Sequence, residues 1–584
     1  MKKGLVFLGI ITVLIAFAVS CGSSPSGTAT TAARQAGQPI QDGRAASGYN
    51  GVVSAAKPEA SDVGIQILRM GGNAVDAAVA VGFAMGVVEP EMNGLGGGGF
   101  MLLKVDGMEE AVFIDFREIA PSASTRDMYL GPDGNTVVFP GSTARTHVVG
   151  GLAAGIPGEA AGLHYAWENY GSGNISWQQI LQPAIDLARN GYIVTQNFHN
   201  GIMNNIDKLN LFPYTASIYT DDGLPWDVGV IIRNTDLANT LEAIAERGPS
   251  AFYTGPIAQA VVDAANAAGG IFSMADMANY RVSVRTPVVG TYRDYTIISA
   301  PPPSSGGTAI IQILNILENI PSNELRFGTT RTINAWIQAY RLAFADRNTY
   351  MADTDFVHVP LIGMSSKAYA RDLFRQMVNL DTAMISANPG NPDRYESGNT
   401  TSFSVMDSAG NMVTVTKTIN YVFGSGVGVP GVGIILNNEM DDFVSNNPAH
   451  PNAPEPNKKP LSSMSPTMVL DPQGRPFMTL GTPGATRIIT TLAAVISHVI
   501  DNDMTIQQAI ELPRLFASNT GAVLVESRMP YSTINNLQEM GYTLTINADY
   551  ASTFGGVHGV LFNHDSGRLY GGADPRRDGE ARAF

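Results

Sequence analysis

The stretch Thr400-Thr401-Ser402-Phe403-Ser404-Val405 is the part of the sequence from which the fold is best predicted. Thr401–Asp407 and Met412–Ile419 are strand-like segments on either side of the turn residues Ala409-Gly410-Asn411, and this arrangement predicts a β-hairpin. Antiparallel pairing across the hairpin would place Thr418, Ile419 and Asn420 beside Thr400. The sequence therefore predicts that Thr400 lies inside a folded domain.

The same stretch offers two hypotheses for Thr400 itself. A threonine hydroxyl is a weak nucleophile, but a threonine that begins a chain carries its own α-amine as a neighbouring base. That amine titrates near pH ~8 in model peptides, so much of it is neutral near that pH. One hypothesis is that the chain cleaves its own Asn399–Thr400 bond and Thr400 becomes a catalytic N-terminus. The other, which the local sequence alone favours, is that Thr400 is an ordinary strand residue.

Composition excludes several classes of function. The 584 residues are 44% hydrophobic and 15% charged, with a net charge of −15 and no basic block, which argues against nucleic-acid binding. The single cysteine, Cys21, excludes an intrachain disulfide framework. The eight histidines are scattered, without the spacing of a metal site. We therefore expect neither a metal nor a cofactor.

The N-terminus differs in character from the rest of the chain. Lys2-Lys3 precede an apolar run from Gly4 to Val19, which is short for a membrane span and typical of a signal peptide. Ala18-Val19-Ser20-Cys21 resembles a bacterial lipobox, which predicts a signal peptide over 1–20, lipidation of Cys21 and an exported, envelope-anchored protein. The alternative is a plain secretory signal that happens to end in cysteine. Residues 21–47 then form a flexible tether.

The remainder of the chain changes from helices to strands at Thr400. Helical spacing of apolar residues is found at 59–68, 74–87, 158–170, 177–190, 234–246, 256–268, 308–317 and 332–350. Further strands are predicted at 522–526, 542–546, 556–563 and 568–572, which we expect to complete a sheet. This order predicts an α+β fold of four layers, αββα.

The glycine-rich run Gly94-Leu95-Gly96-Gly97-Gly98-Gly99 precedes a strand predicted at 100–105. A dinucleotide site needs the opposite order, in which the strand comes first and a helix follows the glycines. We therefore interpret the run as a place where backbones pack closely, not as a phosphate-binding loop.

Six motifs, found in this order, together identify a resemblance to the γ-glutamyltranspeptidases, which are N-terminal nucleophile hydrolases made as one precursor and cleaved into two subunits. The motifs are Gly71-Gly72-Asn73-Ala74-Val75-Asp76-Ala77-Ala78, Asp115-Phe116-Arg117-Glu118, Pro302-Pro303-Ser304-Ser305-Gly306-Gly307, Thr400-Thr401, Asn437-Asn438-Glu439-Met440-Asp441-Asp442-Phe443 and Pro460-Leu461-Ser462-Ser463-Met464-Ser465-Pro466.

The resemblance implies a role for each of ten residues. Thr400 would be the nucleophile, both for cleavage after Asn399 and for attack on a γ-glutamyl amide, with Thr418 positioning it. Arg117, Ser462 and Ser463 would hold the α-carboxylate of the glutamyl group, and Asn420, Glu439 and Asp442 its α-ammonium. The N–H groups of Gly484 and Ala485 would form the oxyanion hole. Without the resemblance, the favoured interpretation of Arg117 is a surface ion pair with Glu118, and the acids and serines are ordinary turn residues.

The resemblance also implies the mature organisation and the partners. Residues 48–399 would belong to a largely helical large subunit and 400–584 to a small catalytic subunit, and the two would form a heterodimer. Glutathione and other γ-glutamyl compounds would be donors, with water, amino acids or peptides as acceptors. The alternatives are a hydrolase of poly-γ-glutamate or another acyl amide, and an inactive envelope-binding lipoprotein.

Three departures from the family pattern qualify this expectation. Ala485 stands where many members have glycine, and Ser402 where several have histidine. The segment Phe443–Leu461 is short and contains four prolines, so we expect a pocket without a lid that admits long γ-linked peptides.

Overall fold

The hairpin around Thr400 forms the centre of a β-sheet, as the sequence predicts. Strands β12 (Asn399–Asp407) and β13 (Met412–Asn420) are antiparallel, and Thr401 pairs with Lys417. The register shifts next to Thr400, so that Asn399 pairs with Asn420. The prediction that Thr418–Asn420 lie beside Thr400 is therefore confirmed at the level of the backbone.

The computed structural model describes residues 44–377, 379–389 and 399–584, all of which lie in the compact unit Ile40–Phe584. Outside the described residues lie the predicted signal peptide, Cys21 and most of the predicted tether. None of the described helices is long and apolar enough to cross a membrane.

Two seven-stranded antiparallel sheets contain most of the strands. In spatial order, the sheet that contains the hairpin consists of β21 (Glu580–Ala583), β2 (Gly51–Ala55), β12, β13, β3 (Gly98–Lys104), β4 (Val112–Phe116) and β9 (Ser283–Arg285). The facing sheet consists of β1 (Ala45–Gly48), β20 (Arg568–Ala573), β19 (His558–Asn563), β15 (Pro476–Gly481), β14 (Thr467–Leu470), β11 (Tyr295–Ser299) and β10 (Val288–Tyr292).

Eighteen α-helices are found in the described residues. They are α1 (Pro58–Arg69), α2 (Ala74–Val88), α3 (Glu159–Tyr170), α4 (Trp177–Asn190), α5 (Gln196–Asn204), α6 (Ile206–Asn210), α7 (Pro213–Tyr219), α8 (Thr235–Arg247), α9 (Ser250–Tyr253), α10 (Gly255–Ala267), α11 (Met274–Asn279), α12 (Gly306–Leu317), α13 (Thr330–Tyr350), α14 (Leu361–Met364), α15 (Lys367–Gln376), α16 (Arg487–Asn502), α17 (Ile506–Glu511) and α18 (Tyr531–Glu539). The α1–α2 pair packs on the hairpin sheet, and α12 and α16 pack on the facing sheet. The predicted αββα layering is confirmed.

Helix α2 shows why the sequence pattern was a reliable guide for the inner helices. It is apolar on all sides, and only Gly86 among its residues is not fully buried. Asn73 caps it by accepting hydrogen bonds from the N–H groups of Val75 and Asp76, while the side chain of Asp76 accepts from the N–H of Asn73. This reciprocal cap fixes the start of the helix that packs beneath β12 and β13.

The glycine-rich run packs its backbone against neighbouring backbone, as we expected. A Cβ added to Gly96 would lie 1.9 Å from the carbonyl oxygen of Ile435, and one added to Gly97 would lie 2.0 Å from that of Thr418. A side chain at Gly97 would force β13 away from the loop, and one at Gly96 would collide with the backbone of Ile435. Glycine is thus required here by close approach, next to the predicted site residue Thr418.

One expectation about the sheets is wrong. The predicted strands at 522–526 and 542–546 form β17 (Val523–Glu526) and β18 (Leu544–Asn547), which pair in parallel in a separate sheet with β16 (Leu515–Phe516). The helix α18 lies between β17 and β18 and makes the crossover that parallel neighbours need. Periodicity identifies a strand but not the sheet to which it belongs. The remaining strands are two short pairs, β5 (Tyr192–Ile193) with β8 (Ile231–Ile232) and β6 (Thr220–Asp221) with β7 (Leu224–Pro225).

Candidate active site

The end of the central hairpin brings together three of the predicted site residues. The backbone of Thr400 lies in β12 beside Asn399, whose partner across the hairpin is Asn420. The hydroxyl oxygen of Thr418 accepts a hydrogen bond of 2.7 Å from the N–H of Asn420. Asn420 has a left-handed backbone, with φ of 71°, so β13 ends there and the chain turns across the end of β12. This geometry brings the backbone of Thr418 and Asn420 beside that of Thr400.

Arg117 follows β4 and lies completely buried beneath this end of the sheet. Its guanidinium donates to Glu439 and to Asp442, the latter at 2.6 Å, and also to the carbonyl oxygens of Pro460 and Leu461 at 3.0 Å each. Burial alone lowers the pKa of an arginine, but the carboxylates of Glu439, Asp442 and Glu118 raise that of Arg117 above its ordinary value. The structure thus excludes the alternative of a surface ion pair.

Glu439 and Asp442 occupy a short 3-10 turn, Glu439–Asp442, and both are buried. They are not solvated turn acids. In the described part of the chain, Glu439 Oε2 and Asn420 Oδ1 are buried acceptors without a hydrogen-bond partner. Asn420 donates through Nδ2 to the carbonyl oxygen of Asn438 at 3.0 Å, and Asn438 directly precedes Glu439, so the two acceptors are close in the fold. A cationic ligand would satisfy both.

Glu118 is a buried carboxyl that we did not assign to the site from the sequence. It lies 4.0 Å from Arg117 Nη1, and neither of its carboxyl oxygens has a hydrogen-bond partner among the described residues. Burial, and after it the charge of Glu439, raises the pKa of Glu118 well above its ordinary value. This favours the protonated form of Glu118 and limits the negative charge around Arg117.

The hydroxyl oxygens of Ser462 and Ser463 each accept a hydrogen bond from a neighbouring group. Ser462 Oγ accepts from the N–H of Met464 at 3.1 Å, and Ser463 Oγ accepts from Arg347 Nη2 at 2.9 Å. A hydroxyl that accepts in this way retains its hydrogen for donation. Both serines can therefore donate to a carboxylate, and they are more than turn residues.

The residues that support these serines were missed in the sequence analysis. Ser462 bridges in parallel to Ser304, and its carbonyl oxygen accepts from both the N–H and the hydroxyl of Ser305. Arg347, on α13, donates to Ser305 Oγ at 3.0 Å as well as to Ser463. The Pro302–Gly307 motif is thus the support of the Ser462-Ser463 segment. The motif was recognised as a family signature, but nothing local to it indicated this contact.

Gly484 and Ala485 form a turn immediately before α16, with φ values of 129° and 55°. Throughout the described residues, no acceptor is hydrogen-bonded to either N–H. Thr482, two residues before Gly484, links the turn to a neighbouring segment, because its hydroxyl accepts a hydrogen bond from the N–H of Gly556 at 3.0 Å. Two unpaired N–H groups in one turn suit a developing oxyanion. Ala485 adopts the left-handed conformation without being glycine, which costs roughly 1–2 kcal/mol.

The short segment between Asp442 and Ser462 folds back on the site instead of extending from it. The buried Asn452 donates to the carbonyl oxygen of Asp442 at 2.7 Å and accepts from the N–H of Leu461 at 3.2 Å. The two ends of the segment are thereby tied together beside Arg117. Whether long γ-linked peptides enter the pocket stays a prediction.

A sequence profile of the family described as Gamma-glutamyltranspeptidase matches residues 60–584. The chain belongs to the γ-glutamyltranspeptidase family. The glutathione hydrolase proenzyme of Escherichia coli (strain K12) is 39% identical over 539 residues, which cover 90% of each chain. The Acylase ACY 1 proenzyme of Pseudomonas sp. (strain SE83) is 38% identical over 91% of this chain and 93% of that protein.

A solved acylase structure has a similar fold. The crystal structure of cephalosporin acylase from Bacillus halodurans superposes with a TM-score of 0.85 and 26% identity, covering 95% of this chain and 99% of that one. Family membership and this similarity therefore establish the N-terminal nucleophile fold.

Proposed function

We propose that this member of the γ-glutamyltranspeptidase family is a γ-glutamyltransferase and glutathione hydrolase that matures by self-cleavage. The choice of substrate rests on two buried acceptors without a hydrogen-bond partner among the described residues, Glu439 Oε2 and Asn420 Oδ1. They lie next to the Arg117 network. A γ-glutamyl group offers an α-ammonium to these acceptors and an α-carboxylate to Ser462 and Ser463. A glutaryl group has the carboxylate but lacks the ammonium.

Maturation would use the hydroxyl of Thr400 to attack the carbonyl carbon of Asn399. The peptide bond then becomes an ester, and water hydrolyses it to give the carboxylate of Asn399 and the free amine of Thr400. Breaking this bond supplies the base that the catalytic step requires. The register beside Asn420 supports this role, because it places the scissile bond at the end of the hairpin.

Catalysis would repeat the attack on the γ-amide of the donor. The Thr400 hydroxyl loses its proton to the α-amine and bonds to the carbonyl carbon of the γ-amide, and the N–H groups of Gly484 and Ala485 hold the resulting oxyanion. The C–N bond breaks as the leaving amine takes the proton, which leaves a γ-glutamyl ester on Thr400. Water then gives glutamate, and an amine acceptor gives a new γ-glutamyl amide.

The preference for an α-ammonium tests this proposal directly. We expect γ-glutamyl-p-nitroanilide to be hydrolysed with a kcat/KM about 100-fold or more above that of glutaryl-p-nitroanilide, since each hydrogen bond to a charged group contributes about 1.5–3 kcal/mol. Glu439→Gln should reduce this ratio by about 10-fold or more. The control is Glu455→Gln, which changes a partly exposed acid in the proline-rich segment. Equal rates with the two donors would identify an acylase instead.

We further infer that the chain is exported and anchored through Cys21, from the basic Lys2-Lys3, the apolar run and the lipobox-like Ala18–Cys21. The protein should partition with the detergent phase of a Triton X-114 extract of expressing cells, whereas Cys21→Ser should partition with the aqueous phase. Partition of both proteins into the aqueous phase would support the plain secretory signal.

A further inference from the structure

A large cavity opens beside the end of the central hairpin and plays no part in holding the glutamyl group. Its volume is about 1030 Å³, and its wall includes Ser142, Val148, Asn205, Lys208, Tyr421 and Val422. Three separate parts of the chain meet here, namely the loop 141–149, the α5–α6 region and the segment that leaves β13. The cavity is large enough to admit a short peptide.

The chain runs directly from the candidate active site into the wall of this cavity. Tyr421 directly follows Asn420, which pairs with Asn399 across the hairpin. Asn438 joins two walls of the cavity, accepting from the N–H of Tyr421 at 2.9 Å and donating to the carbonyl oxygen of Val148 at 3.0 Å. Because Asn438 also accepts from Asn420, it joins the cavity wall to the acceptors for the α-ammonium.

Lys208 is the cation in the cavity wall. Its Nζ donates to the carbonyl oxygens of Val422 at 2.5 Å and Gly424 at 3.0 Å, which uses two of its three hydrogens. Within residues 44–377, 379–389 and 399–584, no carboxylate lies within ion-pair distance of this ammonium. Burial lowers the pKa of Lys208 to about 7. A cation without a counter-ion is unfavourable in such a place, and an anionic ligand would stabilise it.

The position of Lys208 limits how far a ligand must extend from Asn420 to reach its ammonium. Val422, which accepts from Lys208, is two residues beyond Asn420, so the two Cα atoms are at most about 7 Å apart. An extended dipeptide covers the same distance. A dipeptide whose amine lies beside Asn420 would therefore reach Lys208 with its carboxylate.

We propose that this cavity binds the peptide part of the substrate, with the terminal α-carboxylate of a dipeptide on Lys208. The occupant is the dipeptide that leaves when a γ-glutamyl tripeptide such as glutathione is cleaved, or a dipeptide acceptor that enters after it. This inference rests on the proposed function, since it gives that reaction its second binding site. Asp207, the other charged residue of the wall, is exposed.

The test compares glycylglycine with glycylglycinamide as acceptors, with γ-glutamyl-p-nitroanilide as donor. We expect the KM for glycylglycine to be well below that for its amide in the unmodified protein, and Lys208→Met to raise the KM for glycylglycine by about 10-fold or more while changing that for the amide little. Lys208→Arg should retain part of the preference. Asn204→Ala, an exposed position in the same wall, serves as control.

The outcomes separate this inference from the proposed function. Two results would contradict the proposal that Lys208 binds the carboxylate. One is equal KM values for the two acceptors in the unmodified protein, and the other is an equal rise in both KM values in Lys208→Met. Hydrolysis of the donor in water needs no peptide carboxylate, because p-nitroaniline has none, so it should persist in all three variants. Absence of that hydrolysis in the unmodified protein would instead refute the proposed function.

Discussion

Thr400→Ala is expected to yield a single uncleaved polypeptide and to lower the turnover of γ-glutamyl-p-nitroanilide by about 10⁴-fold or more, as removal of a catalytic nucleophile does in other enzymes. The variant lacks the hydroxyl that would attack Asn399, and without cleavage there is no free α-amine to act as base. One substitution thus removes both nucleophile and base, which is why its effect should be the largest of any single change.

A denaturing gel measures the first part of this prediction. The unmodified protein should give two bands of roughly 40 and 20 kDa at about 110 Da per residue, and N-terminal sequencing of the smaller band should begin at Thr400. Thr400→Ser should still cleave, since it keeps a hydroxyl, and Thr401→Ser is a control for the neighbouring buried position. Two bands from Thr400→Ala, or an active single chain, would refute the assignment of the nucleophile.

The sequence was sufficient for the central hairpin because the information there is local. A turn at Ala409-Gly410 fixes the register of the two strands, and a shift of one residue would reverse which side chains are buried. The turn position alone places Thr418 and Asn420 near Thr400. The observed pairs, Thr401 with Lys417 and Asn399 with Asn420 across a register shift, agree with this to within one residue. The burial of α2 followed in the same way from its composition.

The contacts that complete the site could not be obtained in this way. Arg117 and Glu439 are 322 positions apart in the chain, and Arg347 and Ser463 are 116 positions apart. No periodicity or turn geometry encodes such pairs. The resemblance assigned Arg117 and Glu439 to one site but did not predict their ion pair, and it did not identify Arg347. Arg347 lies within a helix that is buried along most of its length, where the sequence pattern alone indicates a core position. The same limit explains why β17 and β18 were predicted to lie in the wrong sheet.

Arg117→Leu is expected to lower kcat/KM for γ-glutamyl-p-nitroanilide by about 10³-fold and to reduce the free energy of unfolding by about 3–5 kcal/mol, the usual result of removing one partner from a buried ion pair. The substitution leaves Glu439 and Asp442 buried without their shared cation. It also frees the carbonyl oxygens of Pro460 and Leu461, which precede the two serines. Arg117→Lys keeps the charge but cannot reproduce the four contacts, so it should recover stability more than activity.

Arg126→Leu is the matched control for Arg117→Leu, because Arg126 also reaches the 443–461 segment but is 42% exposed in its pair with Glu455. That pair should contribute at most about 1 kcal/mol. Chemical denaturation gives the unfolding free energy of each variant, and a gel gives the cleaved fraction to which kcat/KM is normalised. Because the Arg117 network holds the two acids and the serine segment in one arrangement, loss of donor binding and loss of stability should occur together. A cleaved Arg117→Leu protein with unchanged kcat/KM would show that the glutamyl group is held elsewhere.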